Sequence, residues 1–142
     1  MTDTANVNPQ LLNVLNEIIE MELSGVTRYL HYALMVRGPN RLPIVQFFKE
    51  QAIEGFNHAA VIGEKITGLG GHPSLKVAQV TETNNHTINE LLKESLEAEK
   101  HGVSLYIKAL PLTEGHIALE ELIREFIRTE SEHIEEVQKM LL

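Results

Sequence analysis

Glu130 and His133 stand three residues apart in the stretch Ile123 to Leu141, IREFIRTESEHIEEVQKML. The apolar residues there, Ile123, Phe126, Val137 and Met140, have the three- and four-residue spacing of a helix face packed against other helices. That spacing runs on through Glu130 and His133, so a carboxylate and an imidazole fill slots where core residues belong. An ionised carboxylate stranded in a core costs several kcal/mol, so one found there usually has a partner. A Glu and a His on one helical face, E-x-x-H, are placed to bind a metal ion together.

One E-x-x-H is common on solvated helices, and a lone inward His is more often a hydrogen-bonded core residue than a ligand. What gives the pair weight is that three other helical stretches carry similar intruders near mid-length. The first reads Leu15, Ile19, Glu22, Val26, Tyr29, Ala33, Val36. The second reads Ile44, Phe48, Gln51, Gly55, His58, Ile62, Ile66, Leu69, with Glu54 one turn before His58. The third reads Leu92, Leu96, Glu99, Val103, Tyr106, Leu110, whereas Glu97 faces the polar side with Lys93 and Lys100. If the four helices pack in register, Glu22, Glu54, His58, Glu99, Glu130 and His133 meet at one level of the core. Hard carboxylate oxygens with borderline imidazole nitrogens suit iron, manganese or zinc. Four carboxylates and two histidines suffice for two ions, with a Glu bridging and one His on each. Such a site could bind Fe(II) and react with O2 or peroxide.

Tyr29 and Tyr106 lie two turns beyond Glu22 and Glu99 on the same stripes, the setting of core tyrosines whose hydroxyls bond to a carboxylate. A redox or proton-relay role is the alternative for Tyr29; no other catalytic residue separate from the metal ligands is expected. His31, His72, His86, His101 and His116 fall off the inward stripes or in connections.

The elements that must position these residues have clear punctuation. Asn8-Pro9 reads as an N-cap with proline at the first helical position, and Arg37-Gly38-Pro39-Asn40 ends the first helix near Val36. A second helix runs from about Pro43 to Gly68-Leu69-Gly70-Gly71. Residues 70 to 86 lack periodicity and form a long connection. Thr87 and Glu90 make a T-x-x-E capping box that opens the third helix, which Pro111 stops near Leu110. A short turn to Gly115 leads into the fourth. The expected fold is an all-α, antiparallel-type four-helix bundle with one long crossover between helices 2 and 3. Residues 1–8 are expected to be a disordered or extended arm and residues 9–142 one domain.

Composition narrows the function classes. The chain has 142 residues, a formal charge of −8 and no cysteine, which excludes thiolate zinc sites, iron–sulfur clusters and thiol nucleophiles. The negative charge argues against general affinity for nucleic acid or anionic membranes. The N-terminal stretch has neither a basic residue nor an apolar run, and no apolar stretch approaches a membrane span. A soluble, cytoplasmic protein is the expectation.

At NEIIEMELSGVTRYLHYALM, NHAAVIGEKITGLGGHP, LEAEKHGVSLY and IREFIRTESEHIEEVQ the chain resembles the ferritin-like superfamily, bacterioferritins most closely, over about residues 10 to 142. The resemblance implies a four-helix bundle that oxidises Fe(II) and stores a ferric mineral in a hollow homo-oligomeric shell. It implies that Glu22 and Glu99 are terminal carboxylates of the di-iron centre, Glu130 a bridging one, and His58 and His133 the two histidines. Tyr29 matches the tyrosine beside the centre.

The departures are specific. Gly55 stands where the family has its first bridging Glu. Glu54 is the next carboxylate, about 40° away around the helix axis. It either replaces the bridge or faces the cavity with Glu50, like the inner-surface iron sites of bacterioferritins. Phe56 takes the slot of the haem-binding methionine, so no haem is expected. No short fifth helix of the kind that lines channels in 24-subunit shells is expected. RGPN…LGG also resembles Dps-type mini-ferritins, which form 12-subunit shells, but their ligand positions fall on Ala33, Val45 and Ala60. The expectation is therefore a ferroxidase and iron store in a 12- or 24-subunit shell, taking Fe(II) and O2 or H2O2. Manganese or zinc are the possible substitutes, with no nucleic acid or membrane partner. The alternatives are a non-catalytic cage whose centre Gly55 has impaired, or a di-iron or di-manganese enzyme of the peroxidase type.

Overall fold

The computed structural model describes residues 7–142; most of the expected 1–8 arm lies outside them. Four helices follow in order: α1 (Pro9–Met35), α2 (Arg41–Gly68), α3 (Ile88–Ala109) and α4 (Ile117–Leu141). A 3-10 turn, Leu110–Thr113, sits between α3 and α4. The residues singled out as caps act as caps. Asn8 Oδ1 accepts from Gln10 N at 2.8 Å, and Thr87 Oγ1 from Glu90 N at 3.3 Å. The second helix begins two residues earlier than expected, at Arg41, before Pro43; a proline in the first turn removes no helical hydrogen bond. It ends in a Schellman turn: Gly70, at φ 83°, and Gly71 return their N–H groups to Thr67 and Ile66.

Two apolar clusters fix the directions of the helices. In the first, Leu11 and Leu15 from the start of α1 meet Ile62 and Ile66 from the end of α2, Leu105 and Ala109 from the end of α3, and Leu119 and Ile123 from the start of α4. In the second, Tyr29, Tyr32 and Ala33 meet Phe48, Leu91, Leu92 and Val137. Helices α1 and α4 therefore run one way and α2 and α3 the other. Because α2 and α3 are parallel, residues 69–87 must return the chain along the whole bundle.

That crossover is pinned along α1. Asn16 binds His72 O and Ser74 N, Ala78 N donates to Glu20 O, and Arg37 N donates to His86 O. His86 Nδ1 lies 2.7 Å from Met35 O at the end of α1. Among the described residues, no helix is long and apolar enough to cross a membrane. One residue departs from its expected face: Met140, at 39% exposure, lies outside the core, and Leu141 packs against the second cluster after Val137.

Candidate metal centre

Between the two apolar clusters every helix switches from apolar to ionisable at the same level. On α1 the change falls between Ile19 and Tyr29, on α2 between Ala52 and Ile62, on α3 between Leu92 and Leu105, and on α4 between Phe126 and Val137. Glu22, His58 and Glu130 are buried there. Glu99 and His133 are partly buried, and the Glu54 side chain is 28% exposed. All six positions singled out by their spacing are thus brought to one layer of the bundle.

The contacts within that layer cross between helices. His58 Nδ1 on α2 lies 3.0 Å from Glu130 Oε1 on α4 and 3.7 Å from Glu22 Oε1 on α1. His133 Nε2 on α4 lies 2.9 Å from Glu54 Oε2 on α2. Glu22, His58 and Glu130 form one group whose ligand atoms lie within 4.8 Å of one another; Glu54, Glu130 and His133 form another. Glu130 belongs to both. Glu54 turns toward the two histidines, its oxygens 3.5 Å from His58 Nε2 and 2.9 Å from His133 Nε2.

Burial and like charge govern the protons. Burial, and then the neighbouring Glu130, hold the Glu99 carboxyl well above the usual carboxylate range. Burial also raises Glu22, against the opposing pull of His58. Glu130 is held low: burial opposes its charge, but Glu99 and His58 outweigh it. For His58 burial again opposes the charge, yet Glu130 and Glu22 hold its pKa up at about 10. Burial opposes charge on His133 too, and Glu54 overcomes it.

The neighbours of these side chains were only partly legible in the sequence. Tyr29 donates its hydroxyl to Glu99 Oε1 and Tyr106 donates to Glu22 Oε1, so each tyrosine serves the carboxylate of the other helix. Phe126 stacks on His58, with ring centroids 4.1 Å apart and planes 16° from parallel. It had been readable only as a core residue. Gly55 brings α2 close to α1: a Cβ there would sit 3.3 Å from Glu22 O and 3.4 Å from Glu22 Oε2. A cavity of about 30 Å³ beside Gly55 touches Glu22, Tyr29, Glu54, Glu99, Glu130 and His133, room for one water-sized species.

The donor set fits a pair of divalent ions. Nδ1 of His58 is buried, faces two carboxylates and has no aligned hydrogen-bond partner, an atom that can ligate an ion once its proton is displaced. Four carboxylates and two imidazoles also match in charge what two M2+ ions require.

Comparison with known proteins places this arrangement. Residues 12–142 match the ferritin-like domain, and the chain belongs to that family. It is similar to the bacterioferritin of Brucella melitensis, 26% identical over 137 residues that cover 94% of this chain and 83% of the relative. Among solved structures it resembles a ferritin-like, di-iron-carboxylate protein of Bacillus anthracis, with TM-score 0.88, 26% identity and 100% of both chains covered. Two more distant structures share the fold. The bacterioferritin of Rhodobacter capsulatus gives TM-score 0.86 at 21% identity, covering 94% of this chain and 84% of that one. The Dps protein of Vibrio cholerae gives TM-score 0.89 at 17% identity, covering 99% and 93%.

Proposed function

We propose that the protein binds two Fe(II) ions per chain in this layer, oxidises them, and holds the Fe(III) inside a hollow homo-oligomeric shell. The observation that carries the reading is the position of Glu130. Its Oε1 faces His58 Nδ1 at 3.0 Å and its Oε2 faces His133 Nδ1 at 3.9 Å, so one carboxylate spans both histidines. Glu22 and Glu99 are the terminal carboxylates and His58 and His133 serve one ion each, while Glu54 lies against both histidines at 3.5 and 2.9 Å.

Two Fe(II) substrate ions give up one electron each. With two protons these reduce O2 to H2O2, or H2O2 to two waters. The chain's part is to assemble anionic oxygen donors that favour Fe(III) over Fe(II). Tyr106 and Tyr29 orient Glu22 and Glu99 by donating to one oxygen of each. The cavity beside Gly55 gives the oxidant a place next to four carboxylates, Glu22, Glu54, Glu99 and Glu130.

Large apolar side chains that a lone chain leaves in water support assembly: Leu34, Ile53, Phe56 and Ile117 are each more than 60% exposed. Sedimentation at micromolar concentration that finds only monomer or dimer would rule out the shell. Rapid mixing with Fe(II) and O2 tests the oxidation. The wild type is expected to oxidise Fe(II) faster than a Glu130→Ala, His133→Ala variant; equal rates would remove the ferroxidase claim.

A second reading, a cage with a disabled centre, is favoured by Gly55, where no carboxylate exists. Equal oxidation rates together with an intact shell would select it. Peroxide turnover without mineral accumulation would instead indicate a peroxidase-type enzyme.

A further inference from the structure

Resting on the proposed di-metal centre, we infer that Glu54 is not the missing bridge but a positioning residue that holds both histidines by their Nε2 atoms. The two carboxylates of α2 and α4 meet opposite nitrogens of the same two rings. Glu130 presents Oε1 to His58 Nδ1 and Oε2 to His133 Nδ1, at 3.0 and 3.9 Å. Glu54 presents Oε1 to His58 Nε2 and Oε2 to His133 Nε2, at 3.5 and 2.9 Å. Both Nδ1 atoms thus face Glu130, and both Nε2 atoms face Glu54.

Glu22 also lies on the Nδ1 side. Glu22 Oε1 is 3.7 Å from His58 Nδ1, and Glu99 neighbours Glu130. An ion held by Glu22 or Glu99 together with Glu130 is therefore met by Nδ1. A neutral imidazole that gives one nitrogen to a metal carries its proton on the other, and metal-bound histidines regularly donate that N–H to a carboxylate. Glu54 is the carboxylate in the right place, with one oxygen for each ring. It fixes both histidines in the tautomer with the proton on Nε2, stops the rings from turning, and adds electron density to both ligating nitrogens.

Gly55 makes this possible from the other side. A family-type Glu at that position would have to begin from a Cβ 3.3 Å from the backbone oxygen of Glu22. Its root would press on Glu22 by a few tenths of an ångström, and α2 supplies its carboxylate from the neighbouring Glu54 instead. The centre this assigns has a single bridging carboxylate, Glu130, and an open edge at the cavity beside Gly55.

The test is a crystal of the full chain soaked in Zn(II), with anomalous data at the zinc edge. Two peaks are expected, each bonded to an Nδ1. Neither should have a Glu54 oxygen within about 2.3 Å, the range of a zinc–carboxylate bond. Both Glu54 oxygens should lie at hydrogen-bond distance from the two Nε2 atoms. A Glu54 oxygen bonded to either ion overturns the inference and leaves the metal centre standing. No peak in the layer overturns both.

Solution titration of Zn(II) gives an independent reading. Glu54→Gln keeps one acceptor and is expected to retain both ions with affinity reduced about 10–100-fold and an unchanged melting temperature in the metal-free state. Loss of one ion outright, as expected for Glu130→Gln, would make Glu54 a ligand and end the proposal.

Discussion

The hydroxyl of Tyr106 on α3 donates to Oε1 of Glu22 on α1 at 2.8 Å, across the bundle core. The pairing is answered by Tyr29 on α1, which donates to Glu99 on α3. Burial, and then the adjoining carboxylate, keep both phenols well above their usual pKa, so they remain donors at any pH the protein meets. The two inner-stripe carboxylates of α1 and α3 are thus each oriented by the opposite helix.

Removing one of these donors leaves a buried carboxylate oxygen without its partner. Tyr106→Phe is expected to destabilise the metal-free protein by about 1–3 kcal/mol, read from urea denaturation followed by far-UV circular dichroism. An unchanged midpoint would mean that water replaces the hydroxyl and that the pairing contributes little.

Putting back the residue the family has at position 55 should not repair the site. In Gly55→Glu the new Cβ meets Glu22 O at 3.3 Å and Glu22 Oε2 at 3.4 Å. Separating α1 from α2 costs roughly 1–3 kcal/mol, more than the gain in helix propensity over glycine. A lower melting temperature and weaker metal binding are expected; a tighter centre would show that the helices separate easily.

The stack of Phe126 on His58 gives a third expectation. Phe126→Ala removes the ring that fixes the imidazole plane and opens a core cavity, with a loss of about 3–5 kcal/mol in metal-free stability. Phe126→Leu fills most of the volume but not the stack. It should cost less in stability while still weakening metal binding; unaltered binding in Phe126→Leu would show that the stack does not position His58.

Charge on His58 sets the pH dependence. It is faced by Glu22 of α1, Glu54 of its own helix, and Glu130 and His133 of α4, with Glu99 of α3 beyond Glu130. Its pKa rises on folding from 6.5 to about 10. A raised pKa means that the folded state holds the proton more tightly. The resulting stability is therefore complete below pH 6.5 and is lost as pH climbs through about 10. The melting temperature of the metal-free protein should fall across that window, and fall less in His58→Gln. Metal must displace the same proton, so calorimetry at pH 7 in buffers of different ionisation enthalpy should show proton release. A binding enthalpy independent of buffer would contradict this.

The sequence makes the layer itself legible because helical periodicity is strict: Glu22, His58, Glu99 and Glu130 each interrupt an apolar stripe, and the capping residues set the register. It does not show which carboxylate meets which ring nitrogen. The direction of Glu54 was open, since a side chain about 40° off the stripe reaches the site only if the helices approach closely. That approach depends on Gly55, which in the sequence looked only like a lost ligand. The cross-helix tyrosine pairs and the Phe126 stack are equally invisible, being contacts between helices rather than along one. Met140 lies off the core for a simpler reason: after Val137 the buried face continues with the four-residue step to Leu141, not the three-residue step to Met140.

The central claim is that two ions bind in one layer and share Glu130. Anaerobic titration of Fe(II) into the metal-free protein, with a competing chelator, counts them. Two Fe(II) per chain in the wild type and one or none in Glu130→Ala is the predicted result. One ion or none in the wild type, or the same count in both proteins, would contradict it.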